Sequence, residues 1–247
     1  APPPPPRVNK TPEGAAEAAG KVLEARRTGR ALDRLPGRLR PVDLAGAYAI
    51  QKVVHGQLGR SGAWKVSGGP PAAASPVAAL VRAEEAPPPG AEGIEGEIAL
   101  RLGRDLIPDP AMSVEALAAL VDAHAPAFEL TRARVSSPEQ TRPEKMADDF
   151  IAHAVVLGAP VAGPPPFGPF PRPGLTRDGA DVQAPYAPID PLASLLAYAR
   201  AGGDPFGGMK VGDWIITGSL TGLPPARAGE RWRLEAAGLA PLEVVVA

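Results

Sequence analysis

The stretch from Gly93 to Leu102 places the tightest constraint on the fold, because a regular pattern of apolar residues occupies every second position along it. Isoleucines and leucines occupy the even positions, with Gly96 among them, whereas the odd positions begin with Glu95 and Glu97. A period of two is typical of a β-strand. The stretch therefore predicts a strand with one apolar face and one face that carries two acids.

The two acids leave two interpretations open. Carboxylates on one strand face lie about 7 Å apart and repel each other. A hard divalent cation between them would remove the repulsion, because such ions prefer oxygen ligands. A further segment, residues 126–131, places Glu129 among apolar neighbours, and three such acids would make a magnesium or manganese site. Alternatively, Glu95 and Glu97 lie on a solvated strand face and Glu129 pairs with an arginine.

The composition excludes several classes of function. The 247 residues fit one large domain, or one domain with a helical appendage. A net charge of −1 and 4 % aromatic residues provide neither a general attraction to nucleic acid or membranes nor a surface for base stacking. The absence of cysteine rules out disulfides, thiolate zinc sites and cysteine nucleophiles. No run of residues approaches the length of a membrane span.

Three regions are predicted along the chain. Residues 1–10 form a proline-rich extended tail, residues 11–62 a helical region, and residues 63–247 a β-rich domain that binds metal and carries the catalytic site. We expect a cytoplasmic protein. The alternative is a periplasmic protein whose Ala1 start is the product of signal-peptide removal.

Capping residues predict three helices, at residues 11–27, 43–58 and 190–201. The first would begin with Thr11 as its N-cap and end at Gly29. Each of the other two is also followed by glycine, which favours the backbone conformation that ends a helix.

Weaker signals predict helices from Ser113 to about Ala123 and from Pro143 to Leu157. In the second of these, Asp149 and His153 lie four residues apart and would face each other. The pair could take part in acid–base chemistry or form an ordinary surface pair, and the spacing favours the surface pair.

Short strands complete the predicted elements. Lys65 alternates away from its apolar neighbours in the strand Ala63–Val66, so it points either into a pocket or to solvent at a strand edge. A strand is predicted within residues 77–81, and residues 177–180 read as a hairpin turn. Two final strands are predicted near the end of the chain, at about 231–235 and 242–246.

A Gly-Ser-Leu-Thr-Gly loop, from Gly218 to Gly222, follows a predicted buried strand. Its glycines let backbone N–H groups come close to a ligand, and Ser219 and Thr221 add two hydroxyls. Such a loop suits a carboxylate. The alternative is a plain turn at a strand end, in which Ser219 faces water.

Eight stretches follow one another in the order and spacing typical of one known family. They are Ala47-Tyr48-Ala49-Ile50-Gln51, Ala63-Trp64-Lys65-Val66, Ser75-Pro76-Val77, Ile94-Glu95-Gly96-Glu97-Ile98-Ala99, Phe128-Glu129-Leu130, Met146-Ala147-Asp148-Asp149, Val156-Leu157-Gly158 and Ile216-Thr217-Gly218-Ser219-Leu220-Thr221-Gly222. From about Thr11 to its end, the chain resembles the 2-keto-4-pentenoate hydratase family of the fumarylacetoacetate hydrolase superfamily.

The resemblance implies an α+β, β-rich fold like that of the C-terminal part of fumarylacetoacetase. In such a fold a rolled mixed sheet surrounds a metal site, with helices at the periphery. It also implies Mg²⁺ or Mn²⁺ bound by Glu95, Glu97 and Glu129, and a homo-oligomer. We expect no nucleic-acid or membrane partner.

The implied activity is that of a metal-dependent hydratase, which adds water to a 2-hydroxy-2,4-dienoate and yields a 4-hydroxy-2-oxo acid. Lys65 would hold charge on this substrate or move a proton, and Asp148 is the other implied catalytic residue. Ser219, with Gly218 and Thr221, would bind the substrate carboxylate. Two alternatives stay open: a related 2-oxo acid decarboxylase or C–C hydrolase, and a non-catalytic oligomeric binding protein that kept the fold.

Overall fold

A computed structural model describes residues 12–183 and 185–247. The predicted N-cap Thr11 and the proline-rich tail lie outside these described residues. The helices are α1 Pro12–Thr28, α2 Leu44–Leu58, α3 Val114–Ala118, α4 Arg142–Ala147 and α5 Pro191–Arg200. The strands are β1 Ala63–Ser67, β2 Ala73–Pro76, β3 Leu80–Arg82, β4 Gly93–Leu102, β5 Val121–Thr131, β6 Ala152–Leu157, β7 Val161–Ala162, β8 Gly174–Arg177, β9 Ala180–Asp181, β10 Trp214–Ile216, β11 Arg231–Glu235 and β12 Leu242–Val245.

The chain divides into two compact units. The helical unit consists of the chain up to Leu58 together with Ala133–Phe150, and the β-rich unit consists of Gly59–Arg132 and Ile151–Ala247. The sequence-based division placed residues 133–150 in the β-rich domain. They group with the first helices because α4 packs against α2 and because their buried polar groups find their partners there.

Two helices of the helical unit end at the predicted residues. Gly29 and Gly59 follow α1 and α2 with φ angles of 69° and 81°, a conformation that glycine adopts without a steric penalty. Asp43 precedes α2, and its Oδ1 accepts a hydrogen bond of 2.8 Å from the N–H of Gly46. The two helices pack against each other through small buried residues of α1, including Ala18, Ala19 and Val22.

The predicted helix from Pro143 to Leu157 is wrong beyond Ala147. Thr141 caps α4 through a capping box with Glu144, but the chain then turns through Asp149–Ile151 at positive φ angles and continues as β6. This strand pairs with both β5 and β3. The pattern of the segment is compatible with a helix, but pairing on both edges and burial override that local preference.

Because the helix ends at Ala147, Asp149 and His153 do not form the predicted pair. His153 lies in β6, where its Nε2 is 3.2 Å from the carbonyl oxygen of Pro89, whereas Asp149 binds other partners. The predicted helix after Ser113 is also shorter than expected. It ends at Ala118, and residues 121–123 belong to β5, so only its first turn and its N-cap Ser113 are confirmed.

The main sheet of the β-rich unit has the strand order β2-β1-β10-β4-β5-β6-β3, with β7 also paired to β5. It is mixed, because β1 is parallel to β10 and β3 is parallel to β6. The predicted strand around Glu95 and Glu97 is confirmed as β4. Its register with β5 sets Glu95 opposite Glu129 and Glu97 opposite Ala127.

A second sheet, of order β12-β11-β8-β9, packs on the apolar face of β4 and β5. Trp232 and Leu234 of β11 meet Ile94 and Phe128 there. The predicted hairpin joins β8 to β9, and its two central residues, at 178 and 179, have φ angles of 50° and 81°, as a tight two-residue turn requires. Further along the main sheet, α5 covers Leu100 and Leu102.

No helix within residues 12–183 and 185–247 combines the length and the apolar character needed to cross a membrane.

Candidate metal centre

The three predicted acids converge in the β-rich unit. Each of Glu95, Glu97 and Glu129 offers one carboxylate oxygen, and these atoms all lie within 4.8 Å of one another. Glu97 and Glu129 are completely buried and Glu95 is partly buried. The interpretation of a solvated strand face therefore does not hold for Glu97, because the face that carries it points into the protein.

Lys65 completes the cluster, and the curl of the sheet brings it there. Its Nζ donates a hydrogen bond of 2.7 Å to Glu129 Oε1 and lies 3.4 Å from Glu95 Oε2. In the strand order, β1 and β5 are three positions apart, which would be about 14 Å in a flat sheet. Side chains stand roughly perpendicular to a sheet, so a contact between strands this far apart indicates that the sheet is curled. The alternative interpretation paired Glu129 with an arginine, and the structure pairs it with this lysine.

The cluster carries an excess of negative charge. Three carboxylates and one ammonium group sum to a formal charge of about −2 when all are ionised at neutral pH. Burial raises the pKa of Glu97, as does the neighbouring Glu95, and it reaches about 7. Burial also raises the pKa of Glu129 well above its usual range, although Lys65 opposes this. Burial alone would lower the pKa of Lys65, but the carboxylates, first of all Glu129, outweigh this effect and raise it.

Two buried carboxylate oxygens in this cluster have no hydrogen-bond partner, namely Glu97 Oε1 and Glu129 Oε2. The other oxygen of Glu97 accepts from the N–H of Gly218 at 2.7 Å, and the other oxygen of Glu129 accepts from Lys65. Buried carboxylate oxygens without partners are rare and costly. Opposite oxygen ligands lie about 4.2 Å apart around Mg²⁺ and about 4.6–5.2 Å apart around Ca²⁺, so oxygens within 4.8 Å of one another are in the range that a divalent cation spans. The residues therefore fit a divalent ion, which would occupy the unsatisfied oxygens.

The glycine-rich loop lies beside the acids, but its polar groups already have partners. Gly218 donates to Glu97. The hydroxyl of Ser219 donates to the carbonyl of Gly222 at 2.8 Å and accepts from the N–H of Thr221 at 3.2 Å. Thr221 is buried, and its hydroxyl accepts from the N–H of Gly96 at 2.8 Å. The predicted roles of Gly218, Ser219 and Thr221 in binding a substrate carboxylate stay predictions, and each requires one of these bonds to be shared or exchanged.

Asp148, the other predicted catalytic residue, belongs to the helical unit. Its Oδ1 accepts from the guanidinium of Arg134, and its Oδ2 accepts from the N–H groups of Arg134 and Val135 at 2.8 and 3.1 Å. Both of its oxygens therefore have donors, unlike those of the three acids. A catalytic role for Asp148 stays a prediction, and its contacts are those of a buried structural ion pair.

Two residues near the acids were not singled out from the sequence. A Cβ on Gly96 would lie 2.7 Å from Leu234 Cδ1, so glycine lets the second sheet pack at this point between the two acids without a shift of that leucine. Glycine inside a strand pattern is a known sign of such close approach. Ser75 is completely buried and is the register partner of Lys65 on β2. The sequence included Ser75 only in the motif stretch Ser75-Pro76-Val77 and assigned it no role, because its position beside Lys65 depends on the pairing of β1 with β2.

No family model and no curated protein matches this chain. Solved structures do match. The 4-oxalocrotonate decarboxylase from Pseudomonas putida G7, complexed with magnesium and adipate, has a TM-score of 0.77 at 16 % identity, over 97 % of this chain and 99 % of that chain. Its complex with calcium and acetate has a TM-score of 0.76 over the same shares. A candidate fumarylpyruvate hydrolase from Burkholderia cenocepacia has a TM-score of 0.53 at 22 % identity, over 75 % of this chain and 84 % of that chain.

At these sequence identities the similarity concerns the fold alone. The predicted fold class is confirmed, since this α+β fold with a curled mixed sheet matches structures of fumarylacetoacetate hydrolase superfamily enzymes over almost the whole chain.

Proposed function

We propose that this chain is a divalent-metal enzyme of the fumarylacetoacetate hydrolase superfamily, which acts on a small 2-oxo or 2-hydroxydienoic acid. Glu95, Glu97 and Glu129 would hold Mg²⁺ or Mn²⁺. The observation that carries the proposal is the pair of buried oxygens without partners, Glu97 Oε1 and Glu129 Oε2, inside a cluster of excess negative charge. The similar decarboxylase structures contain a divalent cation together with a carboxylate compound, which supports the same combination here.

The charges of the cluster suit an anionic substrate once a cation is bound. A divalent ion with three carboxylates has a formal charge of about −1, and the ammonium of Lys65 brings the sum to about zero. The bound ion would act as a Lewis acid toward the 2-oxygen and carboxylate of the substrate and so stabilise enolate charge. Without a bound cation, the neighbouring carboxylates raise the pKa of Lys65 above its ordinary value. Lys65 is therefore suited to holding negative charge on the substrate rather than to exchanging a proton with it.

The specific reaction that we propose is hydration. A 2-hydroxy-2,4-dienoate loses its 2-hydroxyl proton and takes a proton at C5 to give the isomeric 2-oxo-3-alkene. Water then adds its oxygen at C4 and a proton at C3, which yields a 4-hydroxy-2-oxo acid. The order and spacing of the eight motif stretches support this assignment. Decarboxylation of a 2-oxo acid is the second candidate, because the similarity to the decarboxylase covers 97 % of this chain. Both reactions use the same stabilisation of enolate charge.

A substrate panel distinguishes these reactions. The protein is incubated with 2-hydroxydienoic, 2-oxo and acylpyruvic acids, with Mg²⁺, with Mn²⁺ or with chelator. Consumption of the dienoate without release of CO₂ supports hydration, CO₂ release supports decarboxylation, and two carboxylic acid products indicate C–C hydrolysis. Metal-dependent ligand binding without any product indicates a binding protein that kept the fold.

Two matched variants accompany the panel. Glu97→Gln keeps the shape of a proposed ligand residue and removes its charge. Glu84→Gln makes the same change at an exposed acid of the β-rich unit and should behave as the wild type. Activity that survives both chelator and Glu97→Gln would contradict the proposed metal-dependent function. The expected homo-oligomer also stays a prediction, for which analytical ultracentrifugation is the direct measurement.

A further inference from the structure

The loop after β10 continues the hydrogen bonding that β10 begins along one edge of β4. The strand β10 itself pairs with β4 only at residues 99–101. Beyond that point, the N–H of Leu220 donates to the carbonyl of Gly96 at 2.8 Å, and the N–H of Ile94 donates to the carbonyl of Pro224 at 3.1 Å. Residues 217–225 therefore lie along the half of β4 that carries the two acids.

At Gly96 the acceptor in this row of hydrogen bonds is a side chain rather than a backbone carbonyl. The N–H of Gly96 donates to Thr221 Oγ1 at 2.8 Å, and Thr221 is only 3 % exposed. A Cβ on Gly96 would lie 3.0 Å from Thr221 Cγ2, so the threonine is packed against the strand. A buried N–H group that loses its acceptor is destabilising. The Thr221 hydroxyl thus adds to the backbone bonds of Leu220 and Ile94 and provides the acceptor for the Gly96 N–H between the two acids.

The start of the same loop orients one of the acids. Gly218 has a φ angle of 133°, and its N–H points away from the ladder and donates to Glu97 Oε2 at 2.7 Å. This bond occupies one oxygen of Glu97 and leaves Oε1 as the oxygen without a partner. The loop therefore contacts both the backbone between the acids, through Thr221, and one acid directly, through Gly218.

We infer that Thr221 is a positioning residue for the metal site, an inference that rests on the proposed binding of metal by Glu95, Glu97 and Glu129. Its hydroxyl fixes the loop to Gly96, and the fixed loop holds the Gly218 N–H on Glu97 Oε2, which restrains the orientation of the Glu97 carboxylate and leaves Oε1 without a partner. In this role Thr221 touches neither the cation nor the substrate. This assignment differs from the sequence-based prediction that Thr221 binds the substrate carboxylate.

The test compares two substitutions of nearly the same size. Thr221→Val keeps the branched shape and loses the acceptor, whereas Thr221→Ser keeps the acceptor and loses a methyl group. Calorimetric titration with Mn²⁺ should show affinity about tenfold or more weaker in Thr221→Val, the range found for groups that support metal ligands, and affinity close to wild type in Thr221→Ser. A purely structural role would lower the melting temperature of Thr221→Val and leave its Mn²⁺ affinity unchanged, which would overturn the inference.

A measurement on the wild type covers the case in which Thr221→Val does not fold. Coupling between two sites is reciprocal. If the hydrogen bond from the Gly96 N–H to Thr221 favours metal binding, bound Mg²⁺ must therefore stabilise that hydrogen bond. The amide of Gly96 should therefore exchange its hydrogen several-fold more slowly in saturating Mg²⁺, by NMR on the full chain. Unchanged exchange at Gly96 would also overturn the inference.

The Mn²⁺ titrations also distinguish failure of this inference from failure of the proposed metal site. Wild-type protein and Glu84→Gln that both fail to bind Mn²⁺ would remove the proposed metal site together with this inference. Wild-type protein that binds Mn²⁺, with Thr221→Val binding it equally well, would remove the positioning role of Thr221 and leave the metal site intact. Equal Mn²⁺ affinity combined with weaker oxalate binding in Thr221→Val would restore the substrate-binding role instead.

Discussion

Among the described residues, the buried charged cluster of the β-rich unit and that of the helical unit differ in how completely their charges are matched. The carboxylate cluster of the β-rich unit consists of Glu95, Glu97, Glu129 and Lys65. Its acids outnumber its single cation, and two of its buried oxygens have no partner. The arginine–aspartate cluster of the helical unit consists of Arg26, His55, Arg134, Asp148 and Asp149. It has two arginines for two aspartates, and each aspartate oxygen accepts at least one hydrogen bond.

The pKa values follow this difference at Asp149 but not at Asp148, where burial raises the pKa of the carboxyl in spite of Arg134. Burial alone would raise the pKa of Asp149, but His55 and then Arg26 more than offset it, and the pKa lies below its usual value. In the carboxylate cluster the opposite holds, and the pKa of Glu97 rises to about 7. A buried cluster whose charges balance stabilises the folded chain as it stands, even though Arg26 Nε has no hydrogen-bond partner among the described residues and only the aspartate oxygens are all hydrogen-bonded. A buried cluster with an excess of one charge and unsatisfied atoms is the kind that a ligand completes.

The largest expected effect concerns the matched cluster. Asp149→Asn leaves Arg26 as a buried cation without its anion, and removal of one partner of a buried pair typically costs about 3–5 kcal/mol. Urea unfolding followed by circular dichroism should show a loss of this size. Asp33→Asn, at an exposed acid of the same unit, is the control and should unfold like the wild type. A loss equal to that of the control would mean that the arginine–aspartate cluster is not a stabilising one.

Removal of one acid from the unmatched cluster should have the opposite effect on stability. Glu97→Gln removes a negative charge from a site with too many, so the melting temperature of the metal-free protein should equal or exceed that of the wild type. Its Mn²⁺ affinity should fall by at least about 100-fold, because even groups outside the ligand set contribute about 10–100-fold. Calorimetry gives the affinity and differential scanning fluorimetry the melting temperature. Unchanged Mn²⁺ affinity would show that these acids are not a metal site.

Lys65→Met removes the cation of the carboxylate cluster and leaves its three acids in place. Turnover of the substrate found in the panel should fall by about 100-fold, the usual loss when one group that stabilises developing charge is removed. Mn²⁺ affinity and melting temperature should change much less, because the substitution removes positive charge that competes with the metal. The comparison requires steady-state kinetics and calorimetry on the same preparation. Wild-type turnover in Lys65→Met would place the residue outside the chemistry.

A smaller effect is expected at Ser219, on the loop beside the carboxylate cluster. A hydrogen bond to a charged group contributes roughly 1.5–3 kcal/mol, so Ser219→Ala should weaken oxalate binding in the presence of Mn²⁺ by about tenfold, while the affinity for Mn²⁺ alone stays the same. The bond from Ser219 to the carbonyl of Gly222 must be exchanged for this to occur. Equal oxalate affinity in both proteins would show that the hydroxyl serves only the turn.

The smallest effect concerns a pair at the edge of the helical unit. Arg34 donates two hydrogen bonds of 2.9 Å to Glu144. Burial alone would raise the pKa of Glu144, but these bonds lower it from 4.5 to about 2. A depressed pKa contributes stability that is present above pH 4.5 and is lost as the pH falls toward 2. Arg34→Met should therefore lower the melting temperature at pH 7, and the difference from wild type should shrink as the pH falls from about 4.5 toward about 2. A difference that does not depend on pH would show that Arg34 acts through packing.

Much of the β-rich unit could be predicted from local patterns. The strand β4 follows directly from alternation, and α5 from its N-cap Asp190, whose side chain accepts from Ala193 as expected. The same reasoning failed at β6, where residues 152–157 show no strict alternation because both faces of the strand are buried. Strands that are buried on both faces carry apolar residues on both, so the period that distinguishes a strand from a helix disappears.

The sequence by itself determined which face of β4 carries acids, where α1, α2 and α5 end, and that Glu129 lies among apolar residues. Only the tertiary structure decided which partners these groups have. In the fold, Lys65 binds Glu129 although their strands are three positions apart in the sheet. Asp149 binds His55 and Arg26 rather than His153. The physical reason is that periodicity and capping are properties of adjacent residues, whereas the matching of buried charges depends on the curl of the sheet and on contacts between residues about 60 to 120 positions apart.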